Sequence, residues 1–255
     1  MTHWTEEMFV DHADVFERTL EGRVESADEE VEQLLELVDD HGIDPDTALD
    51  VACGIGRHTV ELAAQGIEAR GLDISPQYVD SARERAEEAG VADHVTVEVG
   101  DMRDLEALEG RYDLVTNMWT AFGYFDDETN EQVAAGLREC VADDGALVMD
   151  LANKEWMMAN YQESSTGLVD GDLHTQRREY TPETGRMETT FALFRGDGEG
   201  YEFVGEVEWD LRVYAPAELR RLLERAGFSE VDLYGGLDGS ELERASTRLV
   251  IVARP

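Results

Sequence analysis

The chain has 255 residues, 42% of them hydrophobic, enough to bury a sizeable core in one compact unit. Its 59 Asp and Glu against 21 Lys and Arg leave a formal net charge of −38, which lends no support to a nucleic-acid-binding role, where cations must neutralise phosphates. No apolar run reaches the length of a membrane span and the acidic opening, residues 1–7, is unlike a signal peptide, so a cytoplasmic protein without membrane partners is expected.

The acidic residues are scattered, as in Asp28-Glu29-Glu30, Asp39-Asp40 and Glu87-Glu88, and Lys154 is the single lysine. We read this as halophilic adaptation of an acidic surface: at molar salt the screening length falls to roughly 3 Å and self-repulsion largely disappears. Cys53 and Cys140 lie in no CxxC motif or Cys/His cluster, so neither a disulfide framework nor a metal site is expected.

In chain order, residues 8–20 read as a weak helix. Residues 26–40 read as a stronger, amphipathic one, with Val31, Leu34, Leu35, Leu37 and Val38 at helical spacing. From Thr47 short apolar strands alternate with helices: strand 48–52, helix 57–64, strand 69–74, a helix opened by Pro76, strands 94–99 and 112–118, helix 128–141, the turn Asp143-Asp144-Gly145 and strand 146–151. Such alternation predicts an α/β fold with a doubly wound, mostly parallel sheet.

Between about 153 and 214 the rhythm changes. Residues 177–180 and 186–194 alternate around Thr181-Pro182-Glu183-Thr184-Gly185 as a hairpin would, and 201–213 reads as another strand. Helix 216–226, stopped by Gly227, and an edge hairpin of strands 230–234 and 248–253 complete the pattern.

The segment Asp50-Val51-Ala52-Cys53-Gly54-Ile55-Gly56-Arg57-His58 joins a strand to a helix, with two glycines where backbone must turn tightly and approach a ligand, so a nucleotide-like cofactor is expected across it. Asp73, with Ile74 beside it, ends the next strand, where a carboxylate can accept both hydrogen bonds of a ribose diol. Thr59 stands where a dinucleotide-binding GxGxxG would place its third glycine, which weakens a nicotinamide reading. Asp50 adds a carboxylate suited to an aminoacyl ammonium, directly or through water. S-adenosylmethionine has that group and a nicotinamide cofactor lacks it, and the pair Asp50 and Asp73 tips the choice.

On these residues the chain resembles the class I S-adenosylmethionine-dependent methyltransferases. Asp50 to Gly56 is similar to their glycine-rich first motif, and Asp73 matches their second acidic residue. Gly100-Asp101-Met102-Arg103-Asp104-Leu105 resembles the segment that holds the adenine. Asn117-Met118-Trp119-Thr120-Ala121-Phe122-Gly123-Tyr124-Phe125 resembles the one lining the methyl-transfer site. The likeness is strongest over 27–153, and the GDMRD block, the xGY segment and the antiparallel insert look most like small-molecule enzymes such as the amino-sugar N,N-dimethyltransferases. Where those relatives often carry an N-terminal tyrosine near the cofactor, the nearest aromatic here is Phe16. The block at Asn117 lacks the Asn/Asp-Pro-Pro-Tyr pattern of nucleic-acid base methylation.

The resemblance implies a seven-stranded sheet with one antiparallel strand at an edge. It also implies N-terminal helices over the cofactor (1–46), a cofactor-binding core (47–153), an antiparallel insert covering the substrate or making a subunit contact (154–214), and a closing helix with edge strands (215–255). S-adenosylmethionine is expected against Asp50, Ala52, Gly54, Gly56, Arg57, Asp73, Ile74, Asp101, Met102 and Asn117, although Arg57 can equally meet a surface acid. A small-molecule acceptor, an amine by preference, is expected against Trp119, Phe122, Tyr124 and Arg178, with Tyr124 and Asn117 orienting it. Two other readings stand beside this one: an NAD(P)-dependent oxidoreductase, and a non-catalytic S-adenosylmethionine-binding protein.

Overall fold

A computed structural model describes residues 3–169, 171–196, 198 and 200–255. The N-terminal segment forms a short helix α1 (Trp4–Glu6), a π turn (Glu7–Asp11) and helix α2 (Ala13–Glu21); the expected single helix breaks at His12, whose φ of −125° is non-helical. Helix α3 (Ala27–Asp40) turns Val31, Leu34, Leu37 and Val38 inward, as their spacing requires. Then follow β1 (Thr47–Val51), α4 (Arg57–Ala64), β2 (Glu68–Asp73), α5 (Pro76–Glu88), β3 (Val95–Val99), a 3-10 segment (Met102–Ala107), β4 (Tyr112–Asn117), α6 (Asp127–Cys140) and β5 (Val141–Ala152).

Local chemistry sets these boundaries. Ser75 caps α5 ahead of Pro76, and Asp126 caps α6 by accepting the Thr129 amide at 2.8 Å. Where a turn is expected at residues 143–145 the chain stays in strand β5 and bulges: pairing with β4 jumps from Tyr112/Val141 to Leu114/Ala146, and a Cβ at Gly145 would lie 2.6 Å from the Asp113 carbonyl oxygen.

After β5 come α7 (Lys154–Ala159), β6 (Ser164–Val169), β7 (Asp172–Thr181), β8 (Arg186–Gly196), β9 (Tyr201–Arg212), α8 (Pro216–Ala226), β10 (Glu230–Tyr234) and β11 (Arg248–Arg254). Helix α7 and strand β6 carry no clear periodicity and escape the sequence reading; β6 is a mostly exposed edge strand, where no burial imposes alternation.

The main sheet has seven strands in the order β10-β11-β5-β4-β1-β2-β3, parallel except for β11, which runs antiparallel to both neighbours. The antiparallel strand is therefore one place in from the edge, not at it. Burial explains the difference: residues 249–253 of β11 are buried throughout and need cover on both faces, whereas β10 is half-buried and suits the border. Helices α3 and α4 close one face around Leu34, Leu62 and Val148, and α6 and α8 the other around Leu137, Met149 and Leu223. No helix among the described residues is long and apolar enough to cross a membrane.

The insert is a second, antiparallel sheet, β6-β7-β8-β9. Its Phe191, Leu193 and Val207 pack against Met8 and Val15 of the N-terminal segment, which is thus held between the two sheets. The insert returns to the main sheet where the Arg212 amide donates to the Gly123 carbonyl at 2.8 Å. Gly123 has a φ of 96°, and a Cβ there would overlap the Arg212 carbonyl oxygen. Gly123→Ala is expected to destabilise the protein by about 2–3 kcal/mol through strain and overlap together; a urea-unfolding midpoint equal to that of the wild type would contradict this junction.

Candidate functional site

The glycine turn between β1 and α4 is built from three residues in the left-handed region, Ala52 (φ 61°), Gly54 (φ 55°) and Gly56 (φ 74°). Gly56 is needed twice over, because a Cβ there would sit 2.6 Å from the Cβ of Ala82 in α5. The turn aims the Gly54 amide at Asp73, whose Oδ2 accepts it at 2.8 Å while Oδ1 accepts the Ser75 amide at 2.9 Å. Each carboxylate oxygen keeps a lone pair for a ligand. Burial, and then the charge of Asp50, push the Asp73 carboxyl up to about 6.

Above this turn lies a cavity open to solvent, whose walls include Ala52, Gly54, Asp73, Ile74, Asp101 and Met102. Asp101 is turned toward its neighbour: its carboxylate accepts the Arg103 amide at 2.8 Å and pairs with the Arg103 guanidinium. Arg57 also lines the cavity, and its guanidinium is committed to Glu30 of α3 at 2.6 Å; His58 meets the same Glu30 oxygen at 2.7 Å.

Gly56, packed on Ala82, does not line the cavity, and three more expected site residues lie off this wall. The Asp50 carboxylate is buried beneath it and spent on two hydroxyls, Thr59 at 2.8 Å and Thr116 at 2.9 Å. Asn117 is buried too: its Nδ2 donates to the Val51 carbonyl at 3.1 Å and the Ala121 carbonyl at 3.2 Å, fixing the loop after β4, while its Oδ1 has no partner among the described residues. Phe122 packs in the core against Tyr214, their centroids 5.7 Å apart. In each case the partner comes from a distant element, which residue spacing along β1 or β4 does not reveal.

A second chamber, also open to solvent, adjoins the first. Phe9, Phe16, Trp119 and Tyr124 line both. Arg178 reaches the second from β7, hydrogen-bonding Gln176 and making no ion pair of its own among the described residues, whereas Arg18 and Asp172 in the same lining pair with each other. The insert also contributes His174 and Trp209, and α2 contributes Thr19, whose buried hydroxyl has no partner among the described residues. The sequence reading assigns His174 no role and passes over Phe9 and Thr19. Phe16, named as the aromatic nearest the cofactor, is the one N-terminal residue of this lining that the sequence reading singled out. The Tyr124 phenol is pushed up by burial and then by the charge of Asp73, so it stays a neutral donor. Among the described residues no group of three or more His, Cys, Asp or Glu side chains forms a metal cage.

Glu30 anchors the N-terminal end of α4. Burial alone would raise its carboxyl, but the hydrogen bond to His58, the charge of Arg57 and the Ser26 hydroxyl prevail and hold it at about 2. A carboxyl depressed on folding contributes stability above its unfolded value of 4.5, and that contribution is lost as pH falls through about 2. Glu30→Gln is therefore expected to cost on the order of 2–3 kcal/mol at neutral pH, with the deficit shrinking in acid; a deficit independent of pH would refute the assignment.

Comparison with known proteins bears on the same region. Residues 48–145 match the family described as a methyltransferase domain. The chain is 27% identical over 242 residues to the dTDP-3-amino-3,4,6-trideoxy-alpha-D-glucopyranose N,N-dimethyltransferase of Streptomyces venezuelae, a match covering 91% of this chain and 96% of that one. In fold it is similar to an S-adenosylmethionine-dependent methyltransferase from Clostridium acetobutylicum (TM-score 0.81, 15% identity, 96% of this chain and 97% of that one). It is also similar to the S-adenosylmethionine-bound amino pentose methyltransferase from Micromonospora echinaspora (TM-score 0.70, 22% identity, 94% and 97%).

Proposed function

We propose that this chain, which is an S-adenosylmethionine-dependent methyltransferase, N-methylates a small amine, an amino sugar in the first instance. The observation that carries the reading is the pair of chambers sharing one aromatic wall, which gives a donor and an acceptor separate rooms with a common boundary. The Streptomyces relative, named for an amino sugar and matched along nearly its whole length, supports the amine.

In this reading Asp73 takes the ribose hydroxyls, the Gly54 to Gly56 turn lets the backbone approach the cofactor, and Met102 and Ile74 flank the adenine. Asp101 faces its exocyclic amine. Asp50 acts through Thr59 and Thr116, and Arg57 through its bond to Glu30. Asn117 holds the loop on which Trp119 and Tyr124 stand, and Phe122 backs it from the core.

The acceptor enters the second chamber beside Arg178, whose guanidinium suits an oxygen-rich or anionic substituent. Bound in the first chamber, S-adenosylmethionine would supply an electrophilic methyl carbon to the amine lone pair, its sulfur keeping the electron pair of the broken carbon–sulfur bond. The sulfonium is already a good leaving group, so the protein's work is to orient the reactants and exclude water. The aromatic wall also favours the cationic donor over its neutral product. Tyr124 orients the amine as a hydrogen-bonding phenol, and the proton shed after transfer passes to solvent through the open chamber.

Calorimetric titration in molar KCl tests the cofactor. Saturable S-adenosylmethionine binding, weakened about tenfold or more by Asp73→Ala, is expected. Affinity should also fall as pH drops through about 6 and the carboxylate that must accept the ribose hydroxyls protonates. A preference for NADH would end the reading. Incubation with the dTDP-linked amino sugar should then add methyl groups to nitrogen, read by mass spectrometry; an unmodified amine under saturating cofactor excludes that acceptor. We extend the proposal to a high-salt medium: the thermal midpoint should climb from about 0.1 M to about 2 M KCl as like charges are screened, and a flat profile would remove that extension.

A further inference from the structure

Trp119 and Thr120 are consecutive non-glycine residues in the left-handed region, with φ of 55° and 70°. L-residues reach this region at a cost, a β-branched residue most of all, so the conformation persists only where its surroundings impose it. What imposes it here is the end of β5. The Thr120 amide donates to the Asp150 carbonyl at 2.8 Å, and the Thr120 Oγ1 accepts the Ala152 amide at 3.0 Å, so this one residue is gripped from both sides.

That grip is itself clamped. Arg248 of β11 closes on Asp150 with Nε to Oδ1 at 2.7 Å, Nη2 to Oδ2 at 2.6 Å and Nη2 to the same Asp150 carbonyl at 3.1 Å. The Asp150 side chain is buried, so it has little freedom to release the arginine. The far end of the loop is fixed by Asn117, which bridges Val51 and Ala121.

The residue held out by this brace is Trp119, whose ring lines both chambers, lies 5.9 Å from the Phe16 ring and has the Arg23 guanidinium 5.5 Å from its centroid. We propose that Thr120 is a positioning residue: its two hydrogen bonds to β5 hold the Trp119 ring as the partition that sets where the acceptor nucleophile stands relative to the donor methyl. The proposal rests on the reading that these chambers hold donor and acceptor. Thr120 also borders the second chamber, and the quenching of Trp119 is the readout that a direct contact of Thr120 with the acceptor would not move. Methyl transfer demands a short, in-line approach, so a partition displaced by about 1 Å is felt in the rate of transfer more than in the affinity for either ligand.

Thr120→Gly tests this directly, because glycine adopts the left-handed backbone freely and removes only the hydroxyl and methyl. We expect kcat with the dTDP-linked amino sugar to fall about tenfold or more, with the S-adenosylmethionine dissociation constant and the thermal midpoint close to the wild type. Thr120→Ser, which keeps the oxygen, should recover most of the loss. A second readout needs no acceptor: acrylamide quenching of Trp119, taken as the difference between each protein and its Trp119→Phe counterpart, should rise in Thr120→Gly and return in Thr120→Ser. Failure of the wild type to turn over that amino sugar counts against the acceptor, and the quenching result then decides on the brace. Unchanged kcat and quenching in Thr120→Gly, cofactor affinity falling in step with kcat, or a serine variant no better than glycine would each overturn it.

Discussion

Two buried carboxylates on neighbouring strands, Asp50 of β1 and Asp73 of β2, impose the condition that the rest of the site satisfies. A carboxylate removed from water must find donors inside, and the two take theirs from different sources. Asp50 is satisfied by side chains, the hydroxyls of Thr59 and Thr116, which tie α4 and β4 to the strand between them. Asp73 is satisfied by backbone, the amides of Gly54 and Ser75, and so dictates the path of the turn itself. The left-handed glycines, the Ala82 that packs against one of them, and the cavity above all follow from directing an amide toward Asp73.

Much of this was legible in the sequence because the signals were local. The alternation of strands and helices from Thr47 onward, the two glycines, the strand-end acid and the GDMRD block each span a few residues. The structure places Ala52, Gly54, Asp73, Ile74, Asp101 and Met102 around one cavity. What the sequence left hidden was decided by partners distant along the chain. Arg57, opening a helix beside the glycine turn, invites a cofactor carboxylate, yet Glu30, twenty-seven residues earlier, already holds it. Phe122 and Tyr124 are two residues apart; one faces the core and the other both chambers, and nothing in their identity says which.

The insert shows the same division. Strand β8 announces itself by alternation because Phe191 and Leu193 on one face are covered by the N-terminal segment. Strand β6 has no such cover and no such pattern. The order of β10 and β11 was likewise open to a hairpin reading, and the five-residue apolar run of β11 is the feature that draws it inside the sheet. Charge, the most conspicuous bulk property of the chain, bears on none of these choices: it governs how the folded protein meets its solvent, not how its strands find their neighbours.

The packing of Met8 and Val15 against Phe191, Leu193 and Val207 has a consequence for how the molecule is made. Residues 8–15 cannot reach their places until strands some 170 to 200 positions later have paired, so until then they stand as exposed aromatic and aliphatic surface. The main sheet, by contrast, is assembled largely from contacts between neighbours in the chain. A chain interrupted before β9 would hold the first five strands of the main sheet and an open, unroofed cleft.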